Sequence, residues 1–139
     1  MKQIVIALAV AGAAWSNDTQ TAAPAVQTIE YEAFCKLPDT EAKRSAFVRT
    51  SPENRAVLVR TQLERWRDAN RARLNAKQLA GMAELIASIT SDTYAEGPKG
   101  EEARVKARAV GEAQQQLFTR DELQAMQPYG PCIAKIKAQ

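Results

Sequence analysis

Apolar positions recur at helical spacing along most of this chain. From Ile29 to Leu37, the side chains of Ile29, Ala33, Phe34 and Leu37 share one face, and Pro38 ends the run. A second helix is predicted over Thr40 to Arg49 with Ala42, Ala46 and Phe47 as its stripe. Ser51-Pro52-Glu53 is a start signal, supplying a capping hydroxyl, a proline suited to the first turn and a carboxylate at the positive dipole end. It opens the longest predicted helix, Pro52 to Leu74, whose stripe runs Ala56, Val59, Leu63, Trp66, Asn70. Asn75 and Gln78 then form a predicted capping box, with Leu74 and Leu79 as hydrophobic staple, and a helix from Ala76 to Thr90 turns Leu79, Met82, Leu85, Ile86 and Ile89 inward. Ala95 to Gly100 reads as a loop. The next helix, Glu101 to Leu117, has Ala103, Ala107, Val110, Ala113 and Leu117 inward, small residues that imply close packing. Thr119 and Glu122 repeat the capping box, with Phe118 and Leu123 as staple, before a short helix from Arg120 to Gln127 and a Pro128-Tyr129-Gly130-Pro131 turn.

No six-residue stretch alternates apolar and polar with β-branched enrichment, so the expected class is all-α, a compact bundle of about five to six helices. Trp66 is expected in its core, and Tyr129, in the Pro-Gly-Pro turn, is expected to pack over a disulfide between Cys35 and Cys132.

The N-terminus changes the picture, because Lys2 precedes an unbroken apolar run from Ile4 to Ala14, the pattern of a secretory signal. That run is too short to span a bilayer, which takes about 20 residues. Ala23-Pro24-Ala25 suits the signal peptidase, so residues 1–25 are expected to be a cleavable signal peptide and residues 26–139 a single helical domain beginning at Val26. A cut after Ala13 or Ala14 also obeys the small-residue rule. The chain is thus expected to be exported, to a periplasmic or extracellular location. In that oxidising setting Cys35 and Cys132 are expected to form one disulfide that closes the bundle; the competing arrangement is two unpaired thiols.

Composition narrows the chemistry. The sequence contains no histidine, which excludes Ser-His-Asp and Cys-His catalysis and leaves two cysteines that make no zinc or iron-sulfur set. Glu101-Glu102 and Asp121-Glu122 stand at predicted helix starts, where negative charge is expected for dipole reasons. No phosphate loop or dinucleotide fingerprint is present. Asp92 to Gly97 places Asp, Glu and Gly at positions 1, 5 and 6 of a calcium loop, but Tyr94 and Ala103 fill positions 3 and 12. The reading is of a non-enzymatic protein without catalytic residue, metal or cofactor.

The net charge is +3, yet residues 43 to 77 hold ten Lys or Arg against three acids, a local balance of +7. A helical wheel groups Arg60, Glu64, Arg67 and Arg71 on one flank of the longest helix, with Arg55 and Arg73 elsewhere. Arg60, Arg67 and Arg71 are therefore the candidate surface for an anionic partner such as a membrane, within a flank that also reads as solvated and salt-bridged. Nucleic acid is not expected, given export and no exposed aromatics among the arginines.

Taken in order, Phe34-Cys35-Lys36-Leu37-Pro38, Ser51-Pro52-Glu53 with Leu63 and Trp66, Leu74 to Gln78, Ile89 to Tyr94, and Leu117 to Leu123 resemble the exported bacterial proteins called bacteriocin fulvocin C-related, over most of residues 31 to 132. The resemblance implies a link to antibacterial peptides and assigns no catalytic residue. Leu74-Asn75-Ala76-Lys77-Gln78 is also similar to the Leu-Thr-x-x-Gln motif of periplasmic helical stress chaperones, with Asn75 in place of Thr. Three functions are thus expected in turn: an exported interaction protein acting on a protein or envelope component, a directly antibacterial or membrane-active protein, and a periplasmic chaperone or stress adaptor.

Overall fold

The computed structural model describes residues 27–129, and among them it contains six α-helices and no strand. The expected signal peptide, Cys132 and the basic tail with Lys135 and Lys137 lie outside the described residues. The helices are α1 (Tyr31–Cys35), α2 (Thr40–Arg49), α3 (Pro52–Asn70), α4 (Ala76–Ser88), α5 (Gly97–Gln114) and α6 (Arg120–Ala125). Short 3-10 turns at Arg71–Arg73, Ser91–Tyr94 and Gln115–Leu117 join the later ones.

Local chemistry sets the boundaries. The Ser51 hydroxyl accepts from the Asn54 amide with Pro52 in the first turn of α3, and both predicted capping boxes form, Asn75 with Gln78 and Thr119 with Glu122. Asp39, which the sequence reading passed over, caps α2 by accepting from Ala42. Several predicted helices run shorter. α1 stops at Cys35 and closes through Lys36 and Leu37 amides on the Ala33 and Phe34 carbonyls, while α3 tightens into a 3-10 turn after Asn70, whose side-chain amide donates to the Trp66 carbonyl. The fifth helix instead starts four residues earlier than expected. Gly97 adopts φ +84°, a left-handed conformation that side chains resist, and Pro98 gives up an amide that the first turn leaves unbonded anyway.

One core cluster draws on α1 (Tyr31, Phe34), α2 (Phe47), α3 (Leu58, Val59, Leu63, Trp66), Leu74, α4 (Met82), Phe118 and Met126. The predicted α3 stripe is buried from Ala56 to Trp66, and Leu58 and Gln62 widen it. Gln62 is 1% exposed and spans three elements: its Oε1 accepts from the Tyr31 hydroxyl and its Nε2 donates to the Ala125 carbonyl at 2.7 Å. Gln62→Leu keeps the volume but takes the acceptor from Tyr31 and the donor from Ala125. A loss of about 1–3 kcal/mol is expected in urea denaturation, since stranded buried polar groups cost their full desolvation; an unchanged midpoint would rule out a structural role for this bridge.

The α6 start illustrates electrostatics of the same order. Burial opposes the charged form of Glu122, but hydrogen bonds from the Thr119 amide at 2.8 Å and the Arg73 guanidinium at 2.9 Å outweigh it and hold its carboxyl below the ordinary 4.5. A carboxylate with a depressed folded value contributes stability that is fully present above its unfolded value and is lost as pH falls through the folded one. Glu122→Gln, which can still form the capping box, should therefore cost less than about 1 kcal/mol at neutral pH. It should also flatten the stability profile below about pH 4.5, measured by urea denaturation across pH; an identical acid limb in both proteins would contradict this.

Candidate functional site

The arginines of the basic segment are held largely by structure. Arg60 donates to the Ile89 carbonyl at 2.7 Å, where a cation complements the negative end of α4. Arg67 and Arg71 both pair with Asp68, at 3.0 and 3.2 Å. Asp68 thus supplies the acid where Glu64 seemed placed to, and its carboxyl lies below the ordinary range because of the hydrogen bond from Arg67. The predicted flank is split between a backbone clasp and a shared ion pair, and it offers an anionic partner less free charge than its wheel suggests.

Other cations are employed in the same way. Arg55 donates to the Phe47 and Val48 carbonyls at the end of α2, at 2.8 and 2.5 Å. Arg65 pairs with Glu32 at 2.6 Å and lies over the Tyr31 ring, and buried Lys43 donates to the Leu37 carbonyl at 3.2 Å. Arg104 donates to the carbonyls of Thr93 and Ala95 at 3.3 and 2.8 Å, so two carbonyls of the calcium-loop-like stretch already accept from a guanidinium. Among the described residues no three His, Cys, Asp or Glu side chains converge as a metal site. Nor is any helix there long and apolar enough to cross a membrane.

Tyr94 and Tyr129 both stand edge-on to Phe47, with ring centroids 5.5 and 5.3 Å away, and Arg44 lies over the Tyr129 ring. Burial, with Tyr129 adding to it, pushes the Tyr94 phenol up to about 12. Tyr129 thus packs on Phe47, while the disulfide it is expected to cover involves Cys132, outside the described residues.

The packing of α5 differs from its sequence pattern. Its small residues imply close packing, and α5 does run close to α4; yet Ala103, Ala107, Val110 and Leu117 are only half-buried and Ala113 is exposed. The only buried residues of α5 are Gly100 and Gln114, near its two ends. At the first end the Ala95 carbonyl passes where a Gly100 side chain would stand. At the other, Gln114 donates to Glu84 at 2.9 Å and lies against Gly81, where a Cβ would meet its Oε1 at 2.6 Å. Between these supports small side chains do not reach the core, and space remains on both sides.

On one side is a cleft of about 390 Å³. Val59 and Leu63 of α3, Leu85 of α4, and Leu123 and Met126 form its apolar floor, while exposed Arg108, Glu112, Gln115 and Gln127 stand at its mouth. On the other, a groove of about 660 Å³ runs between α4 and α5, lined by Ala87, Ala103, Ala109 and Val110 with Glu84 and Lys106. Both fall within the size range of ligand pockets, about 300–1,000 Å³.

Fold and site together define an all-α protein with an open apolar cleft beneath a helix that buries few of its own side chains. Compared with known proteins, the chain matches no family model, no curated protein and no solved structure.

Proposed function

We propose that this chain is a non-enzymatic, exported helical interaction protein of the fulvocin C-related type, acting by taking an apolar guest into the cleft beneath α5. The cleft carries the reading: five apolar side chains from α3, α4 and the end of α6 line it beneath α5, with Leu85 and Leu123 left half-buried there. Export rests on the leader pattern of residues 1–25, and a Cys35–Cys132 disulfide would tie α1 to the chain beyond Tyr129. The engagement of Arg60, Arg67 and Arg71 favours this reading over membrane attack through the basic flank.

Titration of the mature chain with the apolar dye 1-anilinonaphthalene-8-sulfonate tests it. Gly111 lines the cleft and a Cβ there has nothing within 4 Å, so Gly111→Trp adds bulk at the cleft from an open position. Dye binding is expected in the parent and should weaken about tenfold or more in the variant, while thermal unfolding stays cooperative. Absence of dye binding, or equal binding by both proteins, would sink the proposal. Non-reducing mass spectrometry addresses the other half: a mass starting at Val26 and lighter by two hydrogens is expected, and two free thiols would remove the disulfide.

A further inference from the structure

The mouth of the cleft carries both signs of charge. Arg108 and Glu112 are exposed and one helical turn apart on α5, and neither enters an ion pair among the described residues. Arginine preceding glutamate is the less favourable order for pairing within a helix, which leaves both charges open to a partner. The floor below them offers the half-buried Leu85 and Leu123, backed by Leu63 and Met126 of the core, and methionine adapts its shape to a neighbour.

We propose that the cleft docks an amphipathic α-helix of a partner protein, with its apolar stripe on this floor and a carboxylate and an ammonium flanking the stripe one turn apart to meet Arg108 and Glu112. The inference rests on the reading of the cleft as a site for an apolar guest and names the guest's chemistry. A fatty acid or other single-sign amphiphile fits less well. Its carboxylate at Arg108 would lie about 6 Å from the like charge of Glu112. A helix repeats its side chains at the same spacing, so two opposite charges on it match two on α5 in register. Docking also disturbs little packing, because nothing between Gly100 and Gln114 on α5 is buried in the core.

Three synthetic helical peptides with one apolar stripe distinguish the possibilities, flanked one turn apart by Glu and Lys, by two Glu, or by two Lys. In fluorescence anisotropy at low salt, the parent chain should bind the mixed peptide about threefold to tenfold more tightly than either single-sign peptide. E112R should shift the preference to the two-Glu peptide, and R108E to the two-Lys peptide. Both substitutions are on exposed positions, and circular dichroism checks that each variant is folded. Equal binding of all three peptides by the parent, or displacement of the dye by palmitate but by no peptide, would overturn the helix proposal while the apolar-guest reading stands. Failure of dye and peptides alike would overturn both.

Discussion

Gly100→Ala is expected to destabilise the fold by about 3 kcal/mol, the upper part of the range for forcing extra atoms into a packed site. Helix propensity alone predicts the opposite sign, since alanine is favoured over glycine inside a helix by roughly 1 kcal/mol. The difference lies in what the new methyl meets. It would stand 1.8 Å from the Ala95 oxygen and 2.6 Å from its carbon, both backbone atoms that cannot rotate away. Relief requires moving the segment whose carbonyls Arg104 grips, and with it the Ser91–Tyr94 turn, which packs on both α3 and α5. Gly111→Ala in the same helix is the matched control. Its methyl has open space, so it should be neutral or stabilising by up to about 1 kcal/mol. Urea denaturation of the pair gives the answer: if both substitutions shift the midpoint alike, the close approach at Gly100 is not what places the glycine there.

Trp66→Ala should cost about 3–5 kcal/mol, a large share of the 5–15 kcal/mol that holds a typical domain together. The indole is 1% exposed, stands edge-on to Phe118 at 5.9 Å, and has the Arg73 guanidinium 5.8 Å from the centre of its ring. It therefore joins the middle of α3 to the chain entering α6. Because Arg73 also pairs with Glu122, losing the indole should loosen that contact as well, so W66A and E122Q should be less than additive. Thermal and urea unfolding of the single and double variants test both statements. A loss below about 1 kcal/mol for W66A would place the ring outside the cooperative core.

The helical class and the α3 core were legible because they depend on local periodicity. The Ala56, Val59, Leu63, Trp66 stripe and the capping boxes at Asn75 and Thr119 need only residues within a few turns of one another. Gln62 escaped because a polar residue is read as outward until its partners are known, and those partners, Tyr31 and Ala125, come from distant parts of the chain. Gly97-Pro98 reads as loop because both residues break helices in the interior; at a first turn, the same pair starts one.

The site was less legible for a related reason. Arginines on a wheel show which face they share, but whether that face meets water or the carbonyl end of another helix depends on tertiary placement. Arg55 and Arg60 both turn out to meet helix ends. Small residues on α5 are equally ambiguous. They bring α5 close to α4 without burying its face in the core, and the buried contacts fall at Gly100 and Gln114.

Suspending α5 from its two ends separates two tasks that most helices combine. Replacing a residue of a core-facing stripe alters folding and surface together, so recognition can change there only as far as stability allows. At Arg108 and Glu112, both exposed, substitutions reach the cleft mouth while leaving the supports and the α3 core untouched. Surface chemistry at those two positions can therefore change one residue at a time without renegotiating the fold.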